Sequence, residues 1–142
     1  MNVLVVNGPN LNLLGTRRPD VYGESTIGEL NAMCREWGEA AGLAVTTFQS
    51  NHEGEIIDRL HAAIGTIDGI VINPGALTHY SYAIHDAIEA IGIPTVEVHI
   101  SDIGARESWR ATSVVSAACI ASISGEGVDG YRRALELLAA RP

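Results

Sequence analysis

The sequence predicts an α/β fold in which one parallel β-sheet lies between two layers of helices. Short apolar runs rich in Val and Ile alternate along the chain with segments whose apolar residues recur at helical spacing. The apolar runs are mostly continuous, as expected for strands that are covered on both faces. No repeat or low-complexity linker interrupts this order. We therefore predict a flavodoxin-like three-layer sandwich with a five-stranded parallel sheet in the order 2-1-3-4-5.

Each predicted element follows from a local pattern. Five apolar runs predict the strands, at residues 3–6, 44–48, 69–73, 94–99 and 117–123. The first helical stripe runs from residue 27 to 41, with Thr26 and Glu29 as a capping box before it and Gly42 after it. The three later helical stripes cover residues 56–64, 83–91 and 131–138, and the first two of these end at Gly65 and Gly92.

Length and charge restrict the classes of function. With 142 residues and 46% hydrophobic content, the chain fits one catalytic domain over residues 1–142 with a buried core. Its longest unbroken apolar run, 117–121, is far shorter than the about 18 residues of a membrane helix, and no charged leader precedes the first strand. We expect a cytoplasmic protein that binds no membrane. A formal net charge of −8 argues against a nucleic-acid partner.

Several chemistries need residues or spacings that this chain lacks. All nine basic residues are arginine, so no lysine Schiff base and no phosphate-loop lysine is available. The five histidines show no His-x-x-x-His spacing, which argues against a metal site. Cys34 in a helical pattern and Cys119 in a strand pattern lie far apart, and we predict buried thiols and no disulfide.

Polar residues follow three of the predicted strands, at residues 7–10, 73–79 and 99–101. Since parallel sheets bind ligands beyond the carboxyl ends of their strands, these clusters should converge on one crevice. The segment from about residue 9 to 25 is long for a strand-to-helix connection. We predict that it is a mobile lid with Gly15 and Gly23 as hinges.

Tyr22 is the strongest candidate for a catalytic base. It lies five residues after Arg17, and a guanidinium beside a phenol favours the ionised phenolate. Arg18 is the competing charged neighbour. The alternative is an aromatic side chain that only anchors the loop. The nearby arginine favours the catalytic interpretation.

His99 is the corresponding candidate for an acid. Glu97 lies two residues earlier on the same face of the strand, where its carboxylate could orient the imidazole and keep it protonated. The alternative is a histidine that is only part of the core. His79 follows a Gly-containing turn, which favours contact with a ligand hydroxyl over core packing.

Further residues near the fourth strand are candidates for binding an anion. The backbone N–H groups of Ile100 and Ser101 and the serine hydroxyl could hold a carboxylate. Arg106 and Arg110 lie four residues apart in a predicted helical turn. One of them could contact a ligand while the other pairs with a structural carboxylate such as Glu107 or Asp102.

Three motifs, at residues 7–23, 73–79 and 97–101, together resemble the type II 3-dehydroquinate dehydratases, in order and over nearly the whole chain. The resemblance implies a flavodoxin-like lyase without metal or cofactor that converts 3-dehydroquinate to 3-dehydroshikimate and water. This reaction serves both the shikimate and the quinate pathway. The lack of lysine agrees with the resemblance, because the unrelated type I enzyme works through a lysine imine.

The resemblance also implies residue roles. Tyr22 would remove a proton from C2 as tyrosinate, with Arg17 stabilising the anion. Asn10 would help to hold a water against the enolate oxygen, and His99 would protonate the leaving C1 hydroxyl in an anti elimination. Substrate contacts are implied for Asn73, His79, Ile100, Ser101 and Arg110, and for Asp86 in the site of a neighbouring subunit. The implied assembly is a homo-oligomer of trimers grouped into a dodecamer.

Four residues depart from the family's pattern. Leu77 stands where an aromatic is common, Tyr80 where a small hydroxyl is usual, His85 where an arginine often precedes the aspartate, and Gly104 where histidine or tyrosine is frequent. These positions bear on substrate fit and on the subunit contact.

A noncatalytic flavodoxin-like binding module and a pseudoenzyme are the alternative interpretations. A receiver domain needs an acidic cluster after the first strand, an aspartate after the third and a lysine after the fifth. Here the first two places hold Asn7 and Asn73, and there is no lysine.

Overall fold

The computed structural model describes residues 1–142 and contains one wholly parallel sheet in the order β2-β1-β3-β4-β5. The strands are β1 (Asn2–Asn7), β2 (Ala44–Gln49), β3 (Gly69–Asn73), β4 (Thr95–His99) and β5 (Ala121–Ser124). In register, Asn7 of β1 stands beside Gln49 of β2 and Asn73 of β3. The predicted fold class and strand order are confirmed.

Helices cover both faces of the sheet. They are α1 (Pro19–Tyr22), α2 (Ile27–Ala40), α3 (Glu53–Ala62), α4 (Tyr82–Ile91) and α5 (Asp129–Ala139). Short 3₁₀ turns lie at Leu11–Leu13, Gly75–His79, Ile103–Ala105, Ser108–Ala111 and Ser116–Ala118. No helix is both long and apolar enough to cross a membrane.

The alternation of side chains along the strands divides the core into two parts. Val3 and Val5 point to one face of β1 and pack in a cluster with residues of α2 and α5. Leu4 and Val6 point to the other face and pack with residues of α3 and α4. Because both faces are buried, both sets of positions are apolar, which explains the continuous apolar runs in the sequence.

The predicted boundaries of α2 and α4 agree closely with the structure. At the start of α2, the Thr26 side chain accepts a hydrogen bond from the Glu29 N–H at 3.1 Å. Only this half of the predicted capping box forms, because the Thr26 hydroxyl donates its own proton to the Glu29 carboxylate. Gly42 and Gly92 follow α2 and α4 with φ of +79° and +67°, the left-handed conformation that ends a helix.

The fifth strand begins later than predicted. Residues 117 and 118, assigned to the strand by their apolar character, lie in the 3₁₀ turn Ser116–Ala118, and β5 begins at Ala121. Cys119 therefore precedes the strand. The cause is local: the Ser113 hydroxyl accepts the N–H groups of Val115 and Ser116, which curls the backbone and overrides the strand propensity of the following residues.

The segment from residue 9 to 25 is more structured than the predicted loop. It contains the turn Leu11–Leu13 and the short helix α1, whose first residue is Pro19. Proline is favoured there because its fixed φ suits a first helical turn and its missing N–H costs no hydrogen bond. Gly15 and Gly23, the predicted hinges, adopt φ of +89° and +81°.

Both cysteines are free thiols, with Cys34 buried and Cys119 half-buried. Burial raises the pKa of the Cys34 thiol to about 12. Burial, and secondarily the negative charge of Glu97, raise the pKa of the Cys119 thiol to about 12 as well. Both side chains are therefore protonated near neutral pH. The predicted burial is confirmed for Cys34, whereas Cys119 is only half-buried.

The connections that follow β1 and β3 approach each other closely. The Gly8 N–H donates to the Asn73 carbonyl at 2.8 Å. A Cβ at Gly8 would lie 2.5 Å from the Pro74 carbonyl oxygen, and one at Gly75, where φ is +62°, would lie 2.9 Å from the Pro9 carbonyl oxygen. Glycine is required at both positions because backbone fills the space that a side chain would need.

We expect Gly8→Ala to lower the free energy of unfolding by about 1–3 kcal/mol, because backbone atoms must move to admit the methyl group. Gly54 is a matched control in α3 with open space around it. Gly54→Ala should raise the free energy of unfolding by about 0.5–1 kcal/mol. Urea unfolding measures both, and equal effects of the two substitutions would contradict the packing argument.

Candidate active site

A cleft opens at the carboxyl ends of β1, β3 and β4. Its lining includes every predicted catalytic and substrate-contacting residue except Asp86, namely Asn10, Arg17, Tyr22, Asn73, His79, His99, Ile100, Ser101 and Arg110. Arg106 also lines it, whereas no Asp or Glu does. In a chain with a net charge of −8, three arginines at one cleft favour an anionic ligand.

Tyr22 lies at the end of α1 and contacts two guanidinium groups. Arg106 donates a hydrogen bond from Nη1 to the Tyr22 phenol oxygen at 2.7 Å. The Arg17 guanidinium carbon lies over the face of the Tyr22 ring, 4.5 Å from its centre. Both guanidinium groups place positive charge beside the phenol, and the hydrogen bond from Arg106 reaches its oxygen directly.

The arginine that contacts the Tyr22 oxygen is therefore not one of the two that the sequence predicted beside it. Arg18 is exposed, with a distant pairing to Asp20 at 3.9 Å. Arg106 and Arg110 do not share one helical turn, since Arg106 follows the turn Ile103–Ala105 and Arg110 lies in the next turn, Ser108–Ala111. The residue that sequence reasoning missed is Arg106 as the partner of the phenol. Its only signal was its position soon after the fourth strand.

His99 and Glu97 form the predicted pair at the end of β4. Glu97 is fully buried, and the buried His99 contacts it through a hydrogen bond between Nε2 of the ring and Oε2 of the carboxylate. Since an ionised carboxylate only accepts, Nε2 carries the proton in this bond. Nδ1 is then the ring nitrogen left to face a ligand in the cleft. The Ser113 hydroxyl also lies 3.0 Å from each oxygen of Glu97.

A buried polar network forms the floor of the cleft. The Tyr131 hydroxyl of α5 donates to Asn7 Oδ1 at 2.6 Å and accepts from Asn73 Nδ2 at 2.9 Å. Asn73 also accepts the Gly75 N–H through Oδ1, at 3.1 Å. Burial raises the pKa of Tyr131 above its ordinary value, so this phenol stays neutral and keeps its proton for Asn7. The network fixes which way the Asn73 amide faces.

His79 and Arg110 lie at the mouth of the cleft on either side of one indole ring. The His79 ring meets the Trp109 ring edge-on at 5.2 Å, and the Arg110 guanidinium carbon lies 4.1 Å from the centre of that ring. His79 Nδ1 donates to the Thr112 carbonyl at 2.7 Å, which leaves Nε2 for a ligand. Arg110 donates to Glu107 through Nε, and this hydrogen bond holds the pKa of the Glu107 carboxyl below its ordinary value.

Two further segments border the cleft. Ile100 and Ser101 follow β4, and the Ser101 hydroxyl accepts a hydrogen bond from Arg106 at 3.3 Å. Asn10 adopts the left-handed conformation with φ of +71°, and its N–H donates to Asn51 Oδ1 at 3.0 Å. This backbone bond leaves the Asn10 side chain free at the cleft.

The remaining predicted positions do not line the cleft. Asp86 is on the solvent face of α4, where its side chain is 79% exposed and pairs with His85 at 3.1 Å. Of the positions that depart from the family pattern, Leu77 is buried in the core and Tyr80 is exposed. The Gly104 N–H donates to the Asp102 carboxylate.

The arrangement brings one candidate base and one candidate acid to a cationic cleft. A phenol held between guanidinium groups can remove a proton from carbon. A histidine whose far nitrogen binds a buried carboxylate can deliver a proton. No group of three or more His, Cys, Asp or Glu side chains is placed to bind a metal ion.

The chain is similar to proteins of one enzyme family. Residues 1–139 match the profile of the family described as Dehydroquinase class II. The 3-dehydroquinate dehydratase of Caldicellulosiruptor saccharolyticus is 56% identical over 96% of this chain and 94% of its own length. Catabolic 3-dehydroquinase 1 of Neosartorya fischeri is 53% identical over 97% of this chain and 92% of its own. The crystal structure of type II dehydroquinase from Butyrivibrio crossotus superposes with a TM-score of 0.97 at 46% identity, covering 99% of this chain and 98% of that one.

Proposed function

The chain belongs to the class II dehydroquinase family, and from that premise we propose how its residues remove water from 3-dehydroquinate. It is a hydro-lyase, and its product is 3-dehydroshikimate. The observation that carries the proposed mechanism is the hydrogen bond from Arg106 to the Tyr22 phenol, in the same cleft as the pair of His99 and Glu97. A noncatalytic binding module, the alternative that the sequence left open, has no observation in its favour.

In the first step, Tyr22 acts as a phenolate and takes a proton from C2 of the substrate. The electron pair of that bond moves towards the C3 carbonyl and gives an enolate. The charge-assisted hydrogen bond from Arg106 and the Arg17 guanidinium over the ring support this role, because both place positive charge beside the phenol whose oxygen takes the proton. Asn10 borders the same cleft and binds a water against the enolate oxygen.

In the second step, the enolate collapses and the bond between C1 and its hydroxyl oxygen breaks. His99 gives a proton to the departing hydroxyl, so that water leaves, and the proton taken from C2 remains on Tyr22 until the groups exchange protons with solvent. The buried Glu97 supports this role because its negative charge stabilises the protonated imidazole. The two residues border the cleft from different elements, α1 and the end of β4, which suits an anti elimination.

Substrate binding follows from the remaining lining residues. The substrate carries a carboxylate, and we assign this group to the Ile100 and Ser101 segment, where Arg106 adds a positive charge. Asn73, His79 and Arg110 contact the ring hydroxyls. The unused Nε2 of His79 and the fixed amide of Asn73 support these contacts.

The segment from residue 9 to 25 is proposed to open and close over the cleft. It carries Arg17 and Tyr22, and the left-handed conformations of Gly15 and Gly23 near its ends support hinges at these two positions. Closure would exclude water while the phenolate takes the proton from C2 of the substrate. We further propose that the enzyme is cytoplasmic, since free thiols suit a reducing compartment, and that it serves the shikimate or the quinate pathway.

We propose that the chain assembles into trimers grouped as a dodecamer. Asp86 lies outside the cleft of its own chain on the solvent face of α4, and the exposed Tyr82 begins the same helix. Exposed aromatic side chains are common in interfaces between subunits. In this assembly Asp86 reaches the cleft of a neighbouring subunit.

The reaction is tested by mixing purified protein with 3-dehydroquinate and following the ultraviolet absorbance of the conjugated enone, without added metal or nucleotide. The unaltered enzyme should turn over. Tyr22→Phe should lower kcat by roughly 10²- to 10⁴-fold, because it removes the proton acceptor, while KM changes little. Wild-type turnover by Tyr22→Phe would contradict the assigned base.

Arg106→Ala should lower kcat by about 10- to 100-fold, because the phenol loses a charge-assisted hydrogen bond. Arg18→Ala is the matched control, since Arg18 is an exposed arginine in the same lid segment as Tyr22 and does not line the cleft. Its kcat should equal that of the unaltered enzyme in the same absorbance assay. A similar loss in both variants would show that general charge, and not the contact with Tyr22, is responsible.

Asp86→Ala should raise KM several-fold in protein that sedimentation velocity shows to be oligomeric, since the substrate site would lose a contact from the neighbouring subunit. Glu89→Ala removes another exposed carboxylate of α4 and should leave KM unchanged. An unaltered KM in Asp86→Ala, or a monomeric wild-type protein, would overturn the proposed contact.

A further inference from the structure

Glu97 makes its hydrogen bonds to two side chains. The carboxylate is fully buried in β4, so solvent does not reach it. Oε2 is bound to His99 Nε2, and the Ser113 hydroxyl lies 3.0 Å from both carboxylate oxygens. A buried carboxylate is costly unless each of its oxygens has a donor. Ser113 is therefore, after His99, the second hydrogen-bond donor to the Glu97 carboxylate.

The direction of the Ser113 hydroxyl follows from its other contacts. Its oxygen accepts hydrogen bonds from the Val115 N–H at 3.2 Å and the Ser116 N–H at 3.1 Å. A hydroxyl has two acceptor sites and one proton. Because both acceptor sites are used by the backbone, the proton points to Glu97. The same two backbone bonds that curl the chain before β5 thus fix a donor on the carboxylate.

The position of Ser113 connects the two histidines of the cleft. The preceding residue, Thr112, accepts a hydrogen bond from His79 Nδ1 through its carbonyl at 2.7 Å. Ser113 reaches His99 through Glu97. Two adjacent residues between the turns Ser108–Ala111 and Ser116–Ala118 therefore orient both rings, one through the backbone and one through a side chain.

We infer that Ser113 is a positioning residue for the proton donor: its hydroxyl holds Glu97 in the orientation in which the carboxylate binds His99 and aims the ring at the cleft. This inference rests on the proposed role of His99 as the acid. Without the hydroxyl, one oxygen of the fully buried carboxylate would lose its only hydrogen-bond donor. The carboxyl group would then rotate or take up a proton, and His99 would lose its fixed acceptor.

Ser113→Ala should lower kcat by about 10-fold or more and change KM less than about twofold, because proton delivery is impaired while the binding residues stay in place. Ser113→Thr keeps the hydroxyl and should restore kcat to within about threefold of the unaltered enzyme. Ser116→Ala is the matched control. It removes a serine of the same segment whose hydroxyl contacts the Ser113 carbonyl and not Glu97, so kcat should be unchanged.

A double-mutant cycle separates this role from the support that Ser113 gives to the backbone. In a Glu97→Gln background the carboxylate is absent, so adding Ser113→Ala should cost much less in kcat than it does in the unaltered enzyme. If Ser113 only stabilised the turn Ser116–Ala118, its removal would cost the same in both backgrounds. Equal costs would overturn the inference.

Proton NMR of the free enzyme gives a readout that does not depend on turnover. The Nε2 proton between His99 and Glu97 should give a strongly downfield resonance, assigned by its loss in His99→Ala. The resonance should persist in Ser116→Ala and broaden or disappear in Ser113→Ala. An unchanged resonance and unchanged kcat in Ser113→Ala would overturn the inference. An inactive wild-type enzyme whose resonance still depends on Ser113 would support the positioning role and contradict the proposed function.

Discussion

Burial of both faces of the sheet is the constraint on which the rest of the structure depends. The central strand β1 alternates its side chains between two apolar layers, so it can hold no polar side chain along most of its length. In β1 and β3 the buried polar side chains are confined to the carboxyl ends, Asn7 and Asn73, and β4 ends in the buried His99. The parallel arrangement brings these ends to one edge. The cleft is thus a direct result of how the core is packed.

The cleft has positively charged side chains at its surface and one negatively charged side chain buried behind it. Three arginines line the surface that a ligand would touch, while the carboxylate of Glu97 is buried behind His99. The arginines attract an anion. In the proposed mechanism they also stabilise the phenolate of Tyr22, and Glu97 stabilises a positive charge on the His99 imidazole. The proposed base and the proposed acid thus lie at one cleft beside charges of opposite sign.

The sequence supports predictions wherever the relevant residues are close along the chain. The pair of Glu97 and His99 follows from the twofold period of a strand, and the ends of α2 and α4 follow from Gly42 and Gly92. The contact between Tyr22 and Arg106 joins residues 84 positions apart, and local spacing contains no information about it.

The start of β5 was predicted wrongly for a related reason. The pattern of apolar residues indicated a strand from residue 117, but one hydroxyl, that of Ser113, binds the backbone before it and forms a turn. A run of small apolar residues does not reveal such a side-chain contact. The same hydroxyl also donates to the buried Glu97 carboxylate, so the turn before β5 and the support of Glu97 depend on one side chain.

The floor of the cleft has a consequence for synthesis of the protein on the ribosome. Tyr131 joins Asn7 and Asn73 in one buried network, although it follows Asn7 by 124 residues. A nascent chain that has emerged only through β4 already contains Tyr22 and His99, the proposed base and acid, yet the Asn7 and Asn73 amides lack the phenol that orients them. Under the proposed mechanism such an unfinished chain is a poor catalyst until α5 docks.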